Sequence, residues 1–217
     1  MGGKNSQFIC QSCGATRPRW EGKCDSCGNW NSITEERVWK ITPATHGGVG
    51  GNELAFENLS GEYECLSRHV ISIEELDRVI GGGIVPGSSI LLAGDPGIGK
   101  STLLLQMAAA LVANKISCTY ISGEEGIEQV RLRASRLDIA NKPVRLASAT
   151  SMQDILLGLK TEGTSDIVVI DSIQTMYLDT LDSSPGSVSQ VRGATQELIR
   201  FAKKSGTAVL MVGHVTK

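Results

Sequence analysis

The chain has 217 residues, 41% hydrophobic and 20% charged, a balance that supports one ordinary globular domain plus a small appendage and excludes a mainly disordered chain. With 21 Lys/Arg against 23 Asp/Glu the formal charge is −2, so no global positive field advertises a nucleic-acid partner and any such contact must be local. No run of about 18 apolar residues suggests a membrane span, and the opening MGGKNSQFICQSC lacks the apolar core of a signal peptide, so a cytoplasmic protein without a membrane partner is expected.

Three stretches follow one another. The first, 8–33, is rich in Cys, Gly and Trp. Cys10-x₂-Cys13 is separated by ten residues from Cys24-x₂-Cys27, so each pair can form a knuckle and the excursion between them can turn back on itself. Four thiolates suit tetrahedral Zn²⁺ with no open position, which makes the expected site structural. The other reading of a CxxC, a redox pair, belongs beside a βαβ pattern that is absent from this stretch. The first forty residues hold six bases (Lys4, Arg17, Arg19, Lys23, Arg37, Lys40) against four acids (Glu21, Asp25, Glu35, Glu36), which is +2 and leaves −4 for the rest. Trp20 and Trp30, with Arg17 and Arg19, suit either a stacking and phosphate-contact surface or rings packed over the metal site beside solvated arginines. Cys65 and Cys118 have no partner spacing and read as ordinary thiols.

The second stretch, 34–68, reads as a linker, because Pro43, the Gly47-Gly48-Val49-Gly50-Gly51 run and weak hydrophobic periodicity leave little to bury. The third, 69–217, alternates apolar runs with helical patterns. A helix is expected from Ile73, Leu76 and Ile80 on one face, ended by Gly81, Gly82 and Gly83. Next come an apolar run over 89–93, a helix over 102–114 and a strand over 116–122. Helices are expected over 128–137, 151–161 and 190–204, with strands over 166–171 and 208–213. Apolar strands separated by helices imply an α/β fold with a mostly parallel sheet covered on both faces.

Gly94-Asp95-Pro96-Gly97-Ile98-Gly99-Lys100-Ser101 matches G-x-x-x-x-G-K-[ST], directly after an apolar run and before a helix that continues through Thr102. Glycines here let successive N–H groups turn inward as a nest for phosphate oxygens, and the helix start adds its positive dipole end. Lys100 is expected to reach the β- and γ-phosphates of ATP, and Ser101 to offer a hydroxyl to Mg²⁺. A second metal acid is expected at the tip of an adjacent strand, and Ile167-Val168-Val169-Ile170-Asp171 supplies Asp171, a residue that also suits a helix N-cap. Of the pair Glu124-Glu125, which follows the second strand, Glu124 is the candidate to orient or deprotonate water; the bland alternative is that either one, taken singly, is a solvated surface glutamate. His214 ends the last strand at the same edge. There it either senses the γ-phosphate or satisfies local backbone groups.

The four-cysteine module, EELDRVIGGGIVPG, GDPGIGKSTLLLQ, YISGEE, VVIDSIQT, SPGSVSQVR and GHVTK together resemble the bacterial RadA (Sms) family of RecA-related DNA repair ATPases, over nearly the whole chain outside 41–62. The resemblance implies a RecA-like P-loop core preceded by a small four-cysteine zinc module. It also implies an ATP-driven motor that binds single-stranded and branched DNA and promotes branch migration. A homo-oligomeric ring, hexameric at full length, and a RecA-type recombinase as partner come with it. By it Glu124 matches the catalytic glutamate, Asp171 the metal-binding aspartate, His214 the γ-phosphate sensor, and 175–192 the first DNA-binding loop. The family continues into a KNRFG motif and a Lon-protease-like domain, so a C-terminally incomplete chain is expected. Gly126 stands where serine is usual, and Gly193-Ala194 where an acid or cysteine is common. The alternative is a nucleotide-binding RecA-like interaction module or fragment without motor activity.

Overall fold

The computed structural model describes residues 6–37, 56, 58, 60 and 67–214. Most of the expected linker, Cys65 and the last three residues lie outside the described residues.

The N-terminal module is a three-stranded antiparallel sheet, β1 (Ser6–Cys10), β2 (Thr16–Arg17) and β3 (Ile33–Arg37), with β1 in the centre. So short a piece buries little beyond Cys10, Cys24 and Ile33, with Phe8 and Ala15 packed against them. A cluster of that size cannot offset the conformational entropy of ordering the chain, so its fold needs a metal staple.

The second body begins with α1 (Glu74–Val79) and continues β4 (Ser89–Gly94), α2 (Lys100–Ala113), β5 (Cys118–Ser122), α3 (Ile127–Arg136), β6 (Arg145–Ser148), α4 (Met152–Thr161), β7 (Ile167–Asp171), a 3-10 turn (Ile173–Thr175), α5 (Val188–Ser205) and β8 (Ala208–His214). Its five strands are all parallel, in the order β4-β8-β7-β5-β6. The three central strands are buried almost throughout, as expected of apolar runs covered on both faces.

Strand alternation divides the core in two. Cys118, Tyr120, Ile167, Val169, Leu210 and Val212 face Leu104, Leu105, Ala108 and Leu111 of α2. Ile121, Val168, Ile170, Val209 and Met211 face Ile155 and Leu159 of α4 and Leu198, Phe201 and Ala202 of α5. Each fully buried Leu, Ile or Val contributes about 1.5–3 kcal/mol. Truncating Leu198, which is wholly buried, to Ala would cost about 2–5 kcal/mol. Ser187 caps α5 by accepting from the Gln190 N–H, and Gly206 ends the helix in a left-handed conformation, φ +76.

Two expectations need correction. The strand carrying Asp171 is not adjacent to the strand before the glycine loop, because β8 lies between β4 and β7. A strand that the sequence does not announce, β6, closes the far edge.

Candidate functional site: a glycine loop, two acids and a four-cysteine cluster

Because the strands run parallel, their C-terminal ends share one edge. Gly94 of β4 stands opposite His214 of β8, and Ser122 of β5 opposite Asp171 of β7. Continuing the strand alternation puts Asp171 and His214 on the face covered by α2, the helix that the glycine loop begins.

The loop turns through left-handed conformations at Gly97 (φ +81) and at Gly99 (φ +94), the residue before α2. No side chain caps α2, so its first-turn N–H groups are left for a ligand. At Gly94 a Cβ would lie 2.6 Å from the Ile98 Cδ1, so a larger residue there would displace the tip of that exposed side chain. Lys100 is 7% exposed, and its ammonium donates to the carbonyls of Gly94 (2.9 Å) and Asp95 (2.7 Å). Among the described residues it has no carboxylate partner. A buried cation without an anion, beside uncapped helical amides, fits a phosphate ligand. Asp95, Pro96 and Ile98 complete the loop, and Ser101 and Thr102 open α2.

Asp171, 6% exposed, ends β7 and accepts a short hydrogen bond at Oδ2 from the hydroxyl of Tyr120. The N-cap of the following turn is Ser172 rather than Asp171. The two glutamates divide. Glu125 pairs with Arg133 of α3, and its N–H donates to the Ser122 hydroxyl. Glu124 accepts a short bond from the Ser172 hydroxyl, and its Oε1 lies 3.5 Å from His214 Nε2. Glu124, Ser172 and His214 therefore meet at the edge that carries Asp171. The two glycine departures differ, since around Gly126 a Cβ would meet nothing within 4 Å. Gly126 precedes α3, and its N–H donates to the Gln129 side chain. At Gly193 a Cβ would approach Leu178 to 2.8 Å.

Sequence reasoning missed Tyr120, Ser172 and Gln190. A tyrosine within an apolar strand carries the only available signal, since a buried phenol needs a partner. Gln190, 2% exposed, accepts from the Leu178 N–H (2.8 Å) and donates to the carbonyls of Leu178, Leu181 and Ser183. The span 175–192 thus begins in the 3-10 turn and ends inside α5, and Gln190 ties the segment between them to that helix.

In the N-terminal module the sulfurs of Cys10, Cys13, Cys24 and Cys27 lie within 4.8 Å of one another, with Cys10–Cys27 at 3.7 Å and Cys13–Cys24 at 3.6 Å. A tetrahedron with Zn–S bonds of about 2.3 Å has edges of about 3.8 Å, so the cluster fits zinc. Both knuckles use the same backbone pattern, Gly14 N–H to Cys10 O with Cys10 N–H to Ala15 O, and Gly28 N–H to Cys24 O with Cys24 N–H to Asn29 O. Burial raises the Cys10 thiol, but the Ser32 hydroxyl and the Cys13 and Ser12 N–H groups outweigh it and bring it down to about 6. The Cys27 N–H lowers Cys24. Trp20 and Trp30 do not cover the cluster. They are 57% and 71% exposed, with Lys23 5.6 Å over the Trp30 ring. Arg17 and Arg19 pair with Asp25 and Glu21. Cys118 is an ordinary core thiol, pushed up to about 12 by burial.

Residues 67–217 match the family described as the AAA domain. The chain belongs to that family. Residues 8–35 match a rubredoxin metal-binding domain. The resemblance to the RadA family is also shown. DNA repair protein RadA of Brucella abortus is 50% identical over 226 residues, covering 97% of this chain and 47% of that protein. DNA repair protein RadA of Bacillus subtilis is 44% identical over 222 residues, covering 100% and 48%. The chain therefore spans about half the length of these relatives. Among solved structures, the flagellar accessory protein FlaH of Methanocaldococcus jannaschii aligns with a TM-score of 0.47 at 20% identity, over 69% of this chain and 70% of that one. Among the described residues, no helix of the AAA domain or the cysteine module is long and apolar enough to cross a membrane.

Proposed function

We propose that the chain is a DNA-dependent ATPase of recombinational DNA repair, coupling ATP hydrolysis to single-stranded DNA binding and promoting branch migration. The observation that carries the ATPase reading is Lys100, a buried ammonium held by two loop carbonyls with no carboxylate partner among the described residues. The names of the RadA relatives support the repair context.

In this reading the backbone N–H groups of Gly94–Thr102, Pro96 excepted, and the Lys100 ammonium bind the phosphates and orient the γ-phosphoryl group for in-line attack. Glu124, held by Ser172, orients a water and takes its proton as the water oxygen bonds to the γ-phosphorus and ADP leaves. His214, touching Glu124, responds to the γ-phosphate. Ser101 and Asp171 would hold Mg²⁺, which neutralises charge on the phosphates when bound. Cys10, Cys13, Cys24 and Cys27 would hold a structural zinc. The chain is organised as a zinc module over 8–33, a linker over 34–68 and a RecA-like core over 69–217. Single-stranded and branched DNA, a RecA-type recombinase and further copies in a hexameric ring are its partners.

The test is steady-state ATP hydrolysis with and without single-stranded DNA, at low salt because phosphate contacts weaken steeply as salt rises. Stimulation by DNA is expected, and Lys100→Ala should abolish hydrolysis while leaving zinc content unchanged. Normal turnover by Lys100→Ala would overturn the site assignment.

A further inference from the structure

Tyr120 lies in the middle of β5 on the face covered by α2, 1% exposed and surrounded by apolar side chains. A phenol so placed is costly to bury unless its hydroxyl has a partner. The partner is not across the ladder, where Tyr120 stands opposite Val169, but two residues further along β7, at Asp171. Only a long side chain with a terminal donor spans that offset. Serine and threonine are too short, and phenylalanine has no donor. Among the described residues no lysine or arginine pairs with Asp171, so a neutral group orients this buried carboxylate and its negative charge is not neutralised.

We propose that Tyr120 is a positioning residue, whose hydroxyl occupies Oδ2 of Asp171 and leaves Oδ1 as the oxygen that takes a divalent cation or its bound water. The proposal rests on the reading of Asp171 as a metal-holding acid. Groups that orient a metal-binding carboxylate from behind typically change metal affinity by about 10–100-fold when removed. A tyrosine that merely fills the core would contribute nothing to metal binding once its ring is kept.

The test is binding of a fluorescent ADP analogue to the chain across a Mg²⁺ titration and in EDTA, for Tyr120→Phe, Asp171→Asn and the double variant. Tyr120→Phe should raise the half-saturating Mg²⁺ by about 10-fold or more and leave affinity in EDTA within about twofold. Asp171→Asn should shift the Mg²⁺ requirement in the same direction. The double variant should be no worse than Asp171→Asn, because the phenol acts through that carboxylate. A normal Mg²⁺ requirement in Tyr120→Phe, with Asp171→Asn shifted, overturns the role of Tyr120 and leaves that of Asp171 standing. No shift in either variant overturns the metal reading of Asp171, and the proposal with it. A readout without substitution guards against misfolding. The chain has three tyrosines, and in a fluorotyrosine-labelled sample the Tyr120 fluorine resonance should move when Mg²⁺ joins bound ADP; an unmoved resonance counts against the proposal.

Discussion

Replacing Gln190 by leucine keeps the side chain's volume and deletes its amide. One accepted and two donated hydrogen bonds go with it, the two N–H groups being shared among three carbonyls. The N–H of Leu178 loses its acceptor, and the carbonyls of Leu178, Leu181 and Ser183 lose their donor. At about 0.5–1.5 kcal/mol net per bond the three sum to about 1.5–4.5 kcal/mol. Leu178, Leu181 and Ser183 are only half-buried, so their backbone groups can recover water. The expected loss is therefore about 2–3 kcal/mol, or a melting temperature lower by roughly 4–12 °C for a domain of about this size. Denaturant unfolding measures the stability, and hydrogen exchange at the Leu178 amide measures the tether directly. Because Gln190 lies on α5 and the freed backbone on the segment before it, exchange should quicken there and not in β7 or β8. If 175–192 is the first DNA-binding loop, as the resemblance implies, stimulation by single-stranded DNA should fall while basal turnover stays. A stability change under about 0.5 kcal/mol with unaltered exchange would show that the Gln190 amide does not hold the segment.

Cys24→Ser removes one corner of the sulfur cluster, so bound zinc should fall well below one per chain and the N-terminal module should become protease-sensitive, while the melting of the AAA domain stays put. Gly123→Ala would place a Cβ 2.0 Å from the Thr175 hydroxyl and 2.9 Å from Met176. Overpacking of this kind should cost about 1–3 kcal/mol in denaturant unfolding, and Thr175→Ala in the same chain should restore part of it. Asp166 is held below its ordinary value chiefly by the Ser117 hydroxyl, with the Ser117 N–H adding to it. A lowered folded value means stabilisation that is present at neutral pH and lost as pH falls through and below about 4. Wild-type stability should therefore fall more steeply than that of Asp166→Asn across that acid range.

What the amino-acid order determined by itself is local chemistry. The glycine loop could be read because its residue types have no substitute, since left-handed turns at Gly97 and Gly99 favour glycine and a buried phosphate calls for a cation at Lys100. The four cysteines could be read from two spacings, because a knuckle is a six-residue backbone unit that needs nothing distant. Most helices and central strands followed from apolar period, since burial on one face or two writes itself into the chain. The strand β6 did not, because its four residues form a strand only by pairing with β5. The tertiary structure alone decided which strands neighbour which, and so placed β8 and His214 between the glycine loop and Asp171. It also separated Glu124 from Glu125, two adjacent identical side chains, by giving one to Ser172 and His214 and the other to Arg133. Tyr120, Ser172 and Gln190 were hidden for the same reason. Their partners lie 51, 48 and 7 to 12 residues away along the chain, and a hydrogen bond at that separation depends on where the backbone carries each end.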